Sequence, residues 1–434
     1  MSRLARMEGS ARFLALVKLA NVGLILIWGF AVTFVFVRIL PIGEFQSFLL
    51  LVAFGNFTIS AEFGLTSIIY ARLRRHWLAR GDGVADEGGF RPEEMGVLFL
   101  FLGLLIVGAT LILLGALAVG WLATGLPLLF LLFFMSACLN LPALLAKRAL
   151  AAIDGNFLWE GLDCVRRVVT IGLLLAILAG MDPRLSVALQ LAVSIAVIAY
   201  AIGHVHRRLN MNRRHWLAFR TGGAHVRAQY LGDIGASAAF TVSDIIAYNA
   251  PYFTIALATA DPRPMLIFDF FFKMSRSLSM LVRAMVEAAL PRITRAYHAG
   301  DRQRLRQVVG RALLAALLAA FAISAALLVF GQELFHLLFA GRASIDRMDI
   351  LLIVVALAAL TLICVSVYVQ AALGRFSHLL ARSLPFLAGS LLSVPLAAML
   401  WPPRFDLAFL TLYALVMIGV AGLHLLSLKR LVRA

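Results

Sequence analysis

Long apolar runs separated by short polar breaks recur along the whole chain, at about 13–39, 45–70, 97–121, 126–146, 167–181, 185–204, 229–258, 264–289, 311–331, 350–373, 383–401 and 407–427. Most approach or exceed the roughly 20 residues that a membrane-spanning helix needs, so the pattern predicts twelve transmembrane helices. The run at 167–181 is short and must borrow flanking residues. Proline and charge mark the breaks best, at Asp182-Pro183-Arg184, Asp261-Pro262-Arg263-Pro264 and Trp401-Pro402-Pro403-Arg404.

Composition agrees. Of 434 residues, 62% are apolar and 14% charged, which excludes a soluble enzyme or a disordered scaffold. Twelve helices leave only short connections and no room for an extramembrane domain. The basic leader Met1 to Arg12 precedes an apolar run too long for a signal peptide, so the first helix is expected to stay in the mature protein. Cys138, Cys164 and Cys364 lack metal-ligand or disulfide spacing and read as small core residues. Neither a metal nor a cofactor is expected. The glycines of the inner loop 71–96 do not form a phosphate-cradling pattern followed by Lys-Ser/Thr.

Charge sets the orientation. With the N-terminus inside, 29 of the 39 Lys and Arg residues fall on the cytoplasmic side, six outside and four within helices, as the positive-inside rule requires. Both termini are then cytoplasmic. The same count accounts for the net charge of +17, and no nucleic-acid partner is implied. Six runs precede the basic stretch His204 to Arg227 and six follow it. The expected architecture is an all-α integral membrane protein with two six-helix bundles, 1–206 and 229–434, around a central cavity. A basic cytoplasmic linker, 207–228, joins them.

Charges inside the apolar runs are the candidates for function, because each costs about 2.5–3.5 kcal/mol near the bilayer centre. The run at 264–289 holds Asp269, Lys273, Arg276, Arg283 and Glu287, which at about 100° per residue stay within roughly 40° of one line. On one reading Asp269 pairs with Lys273 and Arg283 with Glu287, both at i+4, in a neutralised seam that does not include Arg276. On the other, the cationic middle of the stripe lines a water-filled cavity and receives an anionic substrate. In the preceding run Asp233, Ser237, Asp244 and Tyr248 share a face, with Pro251 set to kink the outer end. Lys18 lies near the start of the first run and is placed either to line the cavity or to snorkel to the interface. Glu62 lies deep in the second run, with Thr58 and Thr66 one turn either side. It is either a proton carrier or a carboxylate held by those threonines or by a cation.

Two stretches carry a family resemblance. Phe36-Val37-Arg38-Ile39-Leu40-Pro41-Ile42-Gly43-Glu44-Phe45, followed by Ala61-Glu62-Phe63-Gly64-Leu65 and Arg72-Leu73-Arg74-Arg75, resembles the first hairpin of bacterial polysaccharide exporters. Leu290-Pro291-Arg292-Ile293-Thr294-Arg295-Ala296-Tyr297, with Gly300-Asp301 and Arg304-Leu305-Arg306, resembles their segment after helix eight, a Pro-Arg turn leading to an amphipathic basic stretch. These are the Wzx-type flippases of lipid-linked oligosaccharides, in the superfamily that also holds multidrug antiporters and the lipid II flippase. The chain departs from them in having Glu62-Phe63 where Asp-Leu is common and Gln46 where glycine is usual.

The resemblance implies a multi-pass protein of the bacterial inner membrane, without enzymatic activity. It would move an isoprenoid-diphosphate-linked oligosaccharide outward by alternating access between the bundles, for exopolysaccharide synthesis. Lys18, Lys273, Arg276 and Arg283 would bind the substrate, and Glu62, Asp233, Asp244 and Asp269 would serve as coupling or cavity acids. Membrane lipids and the polysaccharide polymerase and export proteins are the implied partners. A cation-coupled multidrug exporter is the alternative that the acids favour. A membrane-embedded glycan polymerase fits less well, since the outer loops are short and the longest is about 331–349. Reporter fusions at Gly83, Asn210 and Gly300 should report cytoplasm, and fusions at Gly43 and Arg342 the outside. A cytoplasmic signal at Arg342 would show that a helix has been miscounted.

Overall fold

The computed structural model describes residues 11–60, 62, 65–82 and 90–433, and no strand occurs among them. The first half consists of α1 (Ala11–Ile39), α2 (Ile42–Ser60), α3 (Leu65–Asp82), α4 (Glu93–Ala118), α5 (Pro127–Cys138), α6 (Asn140–Ala152), α7 (Asn156–Leu178) and α8 (Pro183–Arg208). The second half consists of α9 (Arg213–Leu217), α10 (Phe219–Ala258), α11 (Pro262–His298), α12 (Arg302–Phe339), α13 (Arg347–Ala372), α14 (Phe376–Leu400), a 3-10 turn at Pro402–Arg404 and α15 (Phe405–Arg433). Among the described residues each of the twelve apolar runs is mostly helical, the second and fourth being divided between two helices. Nine helical stretches among the described residues are long and apolar enough to cross a membrane. α7, α10 and α11, which bear or border the charges considered above, fall outside that set.

Aspartate and proline start the helices, as the punctuation suggests. Asp182 accepts hydrogen bonds from the backbone N–H of Arg184 and Leu185, and Asp261 from that of Arg263, each with proline in the first helical turn. Asp301 opens α12 in the same way, accepting from Arg304 N–H at 2.9 Å.

Three local expectations are corrected. The second run is not one helix, because α2 ends at Ser60 and α3 begins at Leu65. α7 begins at Asn156, eleven residues before the run at 167–181, so Arg166 and Arg167 lie well inside a helix, with Arg166 buried. α11 continues through Pro291 to His298, where the resemblance implies a turn.

The chain forms two compact units. One comprises residues 1–36 and 51–238, the other 37–50 and 239–434. The first has a core of Leu65, Ile69 and Leu73 from α3, Met95 and Leu98 from α4, and Leu141, Leu145 and Leu150 from α6, closed by Trp159 and Val205. The core of the second is aromatic. Phe268 and Phe271 of α11 meet Tyr413 of α15 at ring separations of 5.9 and 5.5 Å, and Phe386 of α14 packs on Tyr248 at 4.9 Å. Gly389 lets α14 approach α15 so closely that a Cβ there would lie 2.4 Å from Val416 Cγ1, the small-residue contact usual between membrane helices.

One arginine ties three helix starts of the second unit together. Arg263 Nη2 lies 3.0 Å from Asp346 Oδ2, 3.4 Å from Asp349 Oδ2 and 3.3 Å from Asp406 Oδ2, joining the first turns of α11, α13 and α15. The Asp349 side chain is only 2% exposed and depends on that partner. Arg263→Ala should therefore lower stability in detergent by roughly 1.5–3 kcal/mol. Asp346→Asn, at a largely exposed carboxylate, should stay within about 0.5 kcal/mol. Thermal unfolding of the two variants checks the ranking.

Candidate functional site

α11 presents its five charges in a graded order. Asp269 is buried, accepts a hydrogen bond from the Tyr252 hydroxyl of α10 at 2.7 Å, and is ion-paired with Lys273 one turn on. Tyr252 is held by Phe268 and Phe272 at ring separations of 4.9 and 5.6 Å. This end of the stripe is neutral and closed. Further along, Arg276 is exposed, with its guanidinium 5.9 Å from the Phe272 ring centroid. Arg283 donates from Nε to Glu287 Oε1 at 2.8 Å and lies 5.9 Å from the Tyr368 ring, yet more than half of its side chain remains accessible. Both i+4 pairs form, and the accessible cations are Arg276 and Arg283. Seven residues separate them, about 10 Å along the axis.

Asp244 of α10 is not paired with this stripe. Asp244 is half-buried and makes no hydrogen bond or ion pair among the described residues. It lies within electrostatic reach of Tyr248, Cys364, Tyr368 and Tyr413. Its neighbour Ser243 accepts a hydrogen bond from Ser383 of α14 at 3.2 Å. The side chains of Asp233 and Ser237 lie outside the described residues. Tyr252, two turns beyond Asp244, reaches α11 through its hydrogen bond to Asp269.

Glu62 is placed differently from the expectation of a mid-helix carboxylate. It sits in the turn between α2 and α3 and accepts from the backbone N–H of Thr66 at 2.9 Å, while the Thr58 hydroxyl is spent on Phe54 O. The physical reason is the break itself: a helix start exposes unsatisfied N–H groups, and a carboxylate there answers both them and the helix dipole. Lys18 is exposed on α1, with no ion pair among the described residues.

The sequence reading missed a network in the first unit. Asn21 of α1 donates through Nδ2 to Glu160 Oε2 at 2.8 Å and to Asp163 Oδ2 at 2.9 Å. Asp163 also accepts from Arg166 at 2.6 Å and from Arg167 at 2.9 Å, and Lys147 Nζ lies 3.6 Å from Glu160. Asn21, Glu160, Asp163 and Arg166 are all buried. The spacing of Glu160, Asp163 and Arg167, three then four, was the available signal. In the second unit Gln370 donates to Ser366 at 2.7 Å, Ser427 donates to Gln370 at 3.0 Å, and His424 Nδ1 lies 3.1 Å from Ser366 Oγ. That pairing joins α13 to α15 across 57 residues, beyond any spacing rule.

No family model matches the sequence, and no curated protein does. Solved structures do match. An inward-facing multidrug resistance MATE family transporter of the MOP superfamily is 15% identical, with a TM-score of 0.67 over 96% of this chain and 98% of its own. The chain has the MATE fold. The Vibrio cholerae MATE transporter VcmN is 17% identical, with a TM-score of 0.63 over 97% and 96% of the two chains. A MOP superfamily transporter from Pyrococcus furiosus is 12% identical, with a TM-score of 0.64 over 97% and 95%. It is described as having a binding pocket of reverse polarity that suggests a different function. The MATE fold makes the protein an all-α, multi-pass membrane protein with about twelve transmembrane helices.

The two halves of the α11 stripe should respond differently to mutation. Lys273→Met leaves the buried Asp269 charge uncompensated and should cost about 3–5 kcal/mol. Tyr252→Phe removes one hydrogen bond to a charge and should cost roughly 1.5–3 kcal/mol. Arg283→Met breaks an exposed pair worth about 0–1 kcal/mol and should leave thermal unfolding nearly unchanged.

Proposed function

We propose that the protein is a flippase of the bacterial inner membrane. It moves an isoprenoid-diphosphate-linked oligosaccharide from the cytoplasmic to the outer leaflet by alternating access and supplies surface polysaccharide synthesis. The observation that carries this reading is the pair of accessible guanidiniums at Arg276 and Arg283, on a helix whose Asp269 is buried against Lys273 and whose Glu287 engages Arg283 only in an exposed pair. A diphosphate leaving water needs charge-assisted donors, and arginine offers a planar fork matched to it. Transport of this kind requires no covalent chemistry. An inside-negative potential assists it, because moving each negative charge outward is favoured by about 2.3 kcal/mol per 100 mV. A polysaccharide polymerase and export proteins would act on the product.

A second reading, a cation-coupled multidrug exporter, is supported by Asp244. A half-buried carboxylate without an ion pair, among Tyr248, Tyr368 and Tyr413, is chemistry suited to an organic cation. One structural neighbour is described as a multidrug resistance transporter.

The test is the double variant Arg276→Ala, Arg283→Ala in cells that make the polymer. At roughly 1.5–3 kcal/mol for each lost charged contact, export should fall about a hundredfold or more while the protein stays inserted and abundant. Lysine at both positions should restore it only in part. Normal surface polymer in the double variant, with drug sensitivity in Asp244→Asn, would reject the flippase reading in favour of the exporter.

A further inference from the structure

The first unit contains an apolar groove that none of the charges above touches. Its walls are one face of α4, with Phe99, Gly103 and Ile106, and one face of α8, with Ile195, Ile202 and Gly203. Its volume is about 580 Å³, within the roughly 300–1,000 Å³ usual for ligand sites. The lining holds no charged side chain among the described residues. From Ile195 to His206 the α8 wall rises about 16 Å, close to the roughly 15 Å that one leaflet contributes to the hydrocarbon core. The space beside Gly103 and Gly203 is open, since a Cβ on either would meet nothing within 4 Å.

One end has a built roof. Trp216 of α9 donates from Nε1 to His206 Nδ1 at 3.0 Å and stands edge-on to Phe99 at 5.9 Å. Its backbone rests on α4 at Gly96, where a Cβ would lie 2.6 Å from the Trp216 carbonyl oxygen. Next to it, Gly222 seats α10 against the Glu93 carbonyl, and His225 Nε2 lies 2.9 Å from Glu94 Oε1. With Nδ1 accepting, the proton of a neutral His206 is on Nε2, a donor. The exposed residues Arg207, Arg208, Arg213 and Arg214 flank this roof in the chain, and the segment 204–217 contains no acid.

We propose that the groove binds one acyl chain of an anionic phospholipid from the leaflet beside the basic linker. The phosphate is held by the linker arginines and His206. Three observations converge on this occupant: an uncharged lining, a length of one leaflet, and four cations gathered at the polar end and nowhere along the walls. The proposal goes beyond the transport reading and holds whatever the transported substrate is. The bound lipid would pin α9 and the start of α10 to α4 and α8 and so become part of the first unit's surface.

The test uses the full-length protein in phosphatidylcholine vesicles that contain increasing fractions of mid-chain-brominated lipid. The Trp216 signal is taken as the difference between wild type and Trp216→Phe. Brominated phosphatidylglycerol should quench that signal saturably, at a mole fraction several-fold below that needed for brominated phosphatidylcholine. Arg213→Gln with Arg214→Gln, both at exposed positions, should erode the preference by about fivefold per charge while chain contact persists. Gly103→Leu with Gly203→Leu should fill the groove and abolish the saturable component. If that variant does not fold, the exposed arginine pair still decides the outcome. Equal quenching by the two headgroups would mark an ordinary boundary lipid. Absence of quenching together with a cross-linked dimer would mark a second copy of the chain in the groove. Either result overturns the proposal.

Discussion

The constraint that orders this molecule is the cost of an ion in hydrocarbon, several kcal/mol per group when uncompensated. Among the described residues it is met at every fully buried carboxylate. Asp269 has a cation and a hydroxyl, Asp163 has an asparagine and two arginines, and Glu94 has His225 and Arg72. Each such cluster links helices that apolar packing alone would leave free to slide. Pairs of this kind add little net stability over a hydrophobic substitute, but losing one partner is costly. They therefore specify which helix faces meet. Arg276 and Arg283 stand apart because they keep accessible surface.

Much of this was legible in the chain. Hydropathy marked helical sequence at all twelve apolar runs, nine of which coincide with stretches long and apolar enough to span among the described residues, and Asp-Pro at 182–183 and 261–262 marked helix starts that the structure caps in the expected way. The i+4 pairs of α11 followed from spacing alone. The errors share a cause. Positive-inside counting treats a charge cluster as a loop, which hid the buried start of α7, where Glu160 to Arg167 are satisfied by α1 and by one another. Continuous apolarity likewise hid the break near Glu62, since a helix restart needs only local capping. Partnerships between distant helices, such as Gln370 with Ser427, need tertiary positions that periodicity does not contain.

A shared fold leaves the substrate open. The MATE-like framework here is a set of close helix contacts, among them Gly389 against Val416, that would hold for cargo of either sign. On the proposed transport reading, selectivity would be carried by the few polar groups left accessible on that frame. One neighbour of the same fold is itself described as having a binding pocket of reverse polarity.

The Arg263 clamp also bears on biosynthesis. Its partners are Asp346, Asp349 and Asp406, so the last contact cannot form until α15 has emerged, 143 residues after the arginine. At about 5–20 residues per second, the nascent chain spends roughly 7–30 s with the three-helix junction incomplete. A ribosome stalled within α14 would leave Asp349 with a partner but Arg263 with two acids instead of three. The clamp therefore completes only when translation has passed the start of α15, which ties closure of this junction to synthesis of a helix 143 residues beyond the arginine.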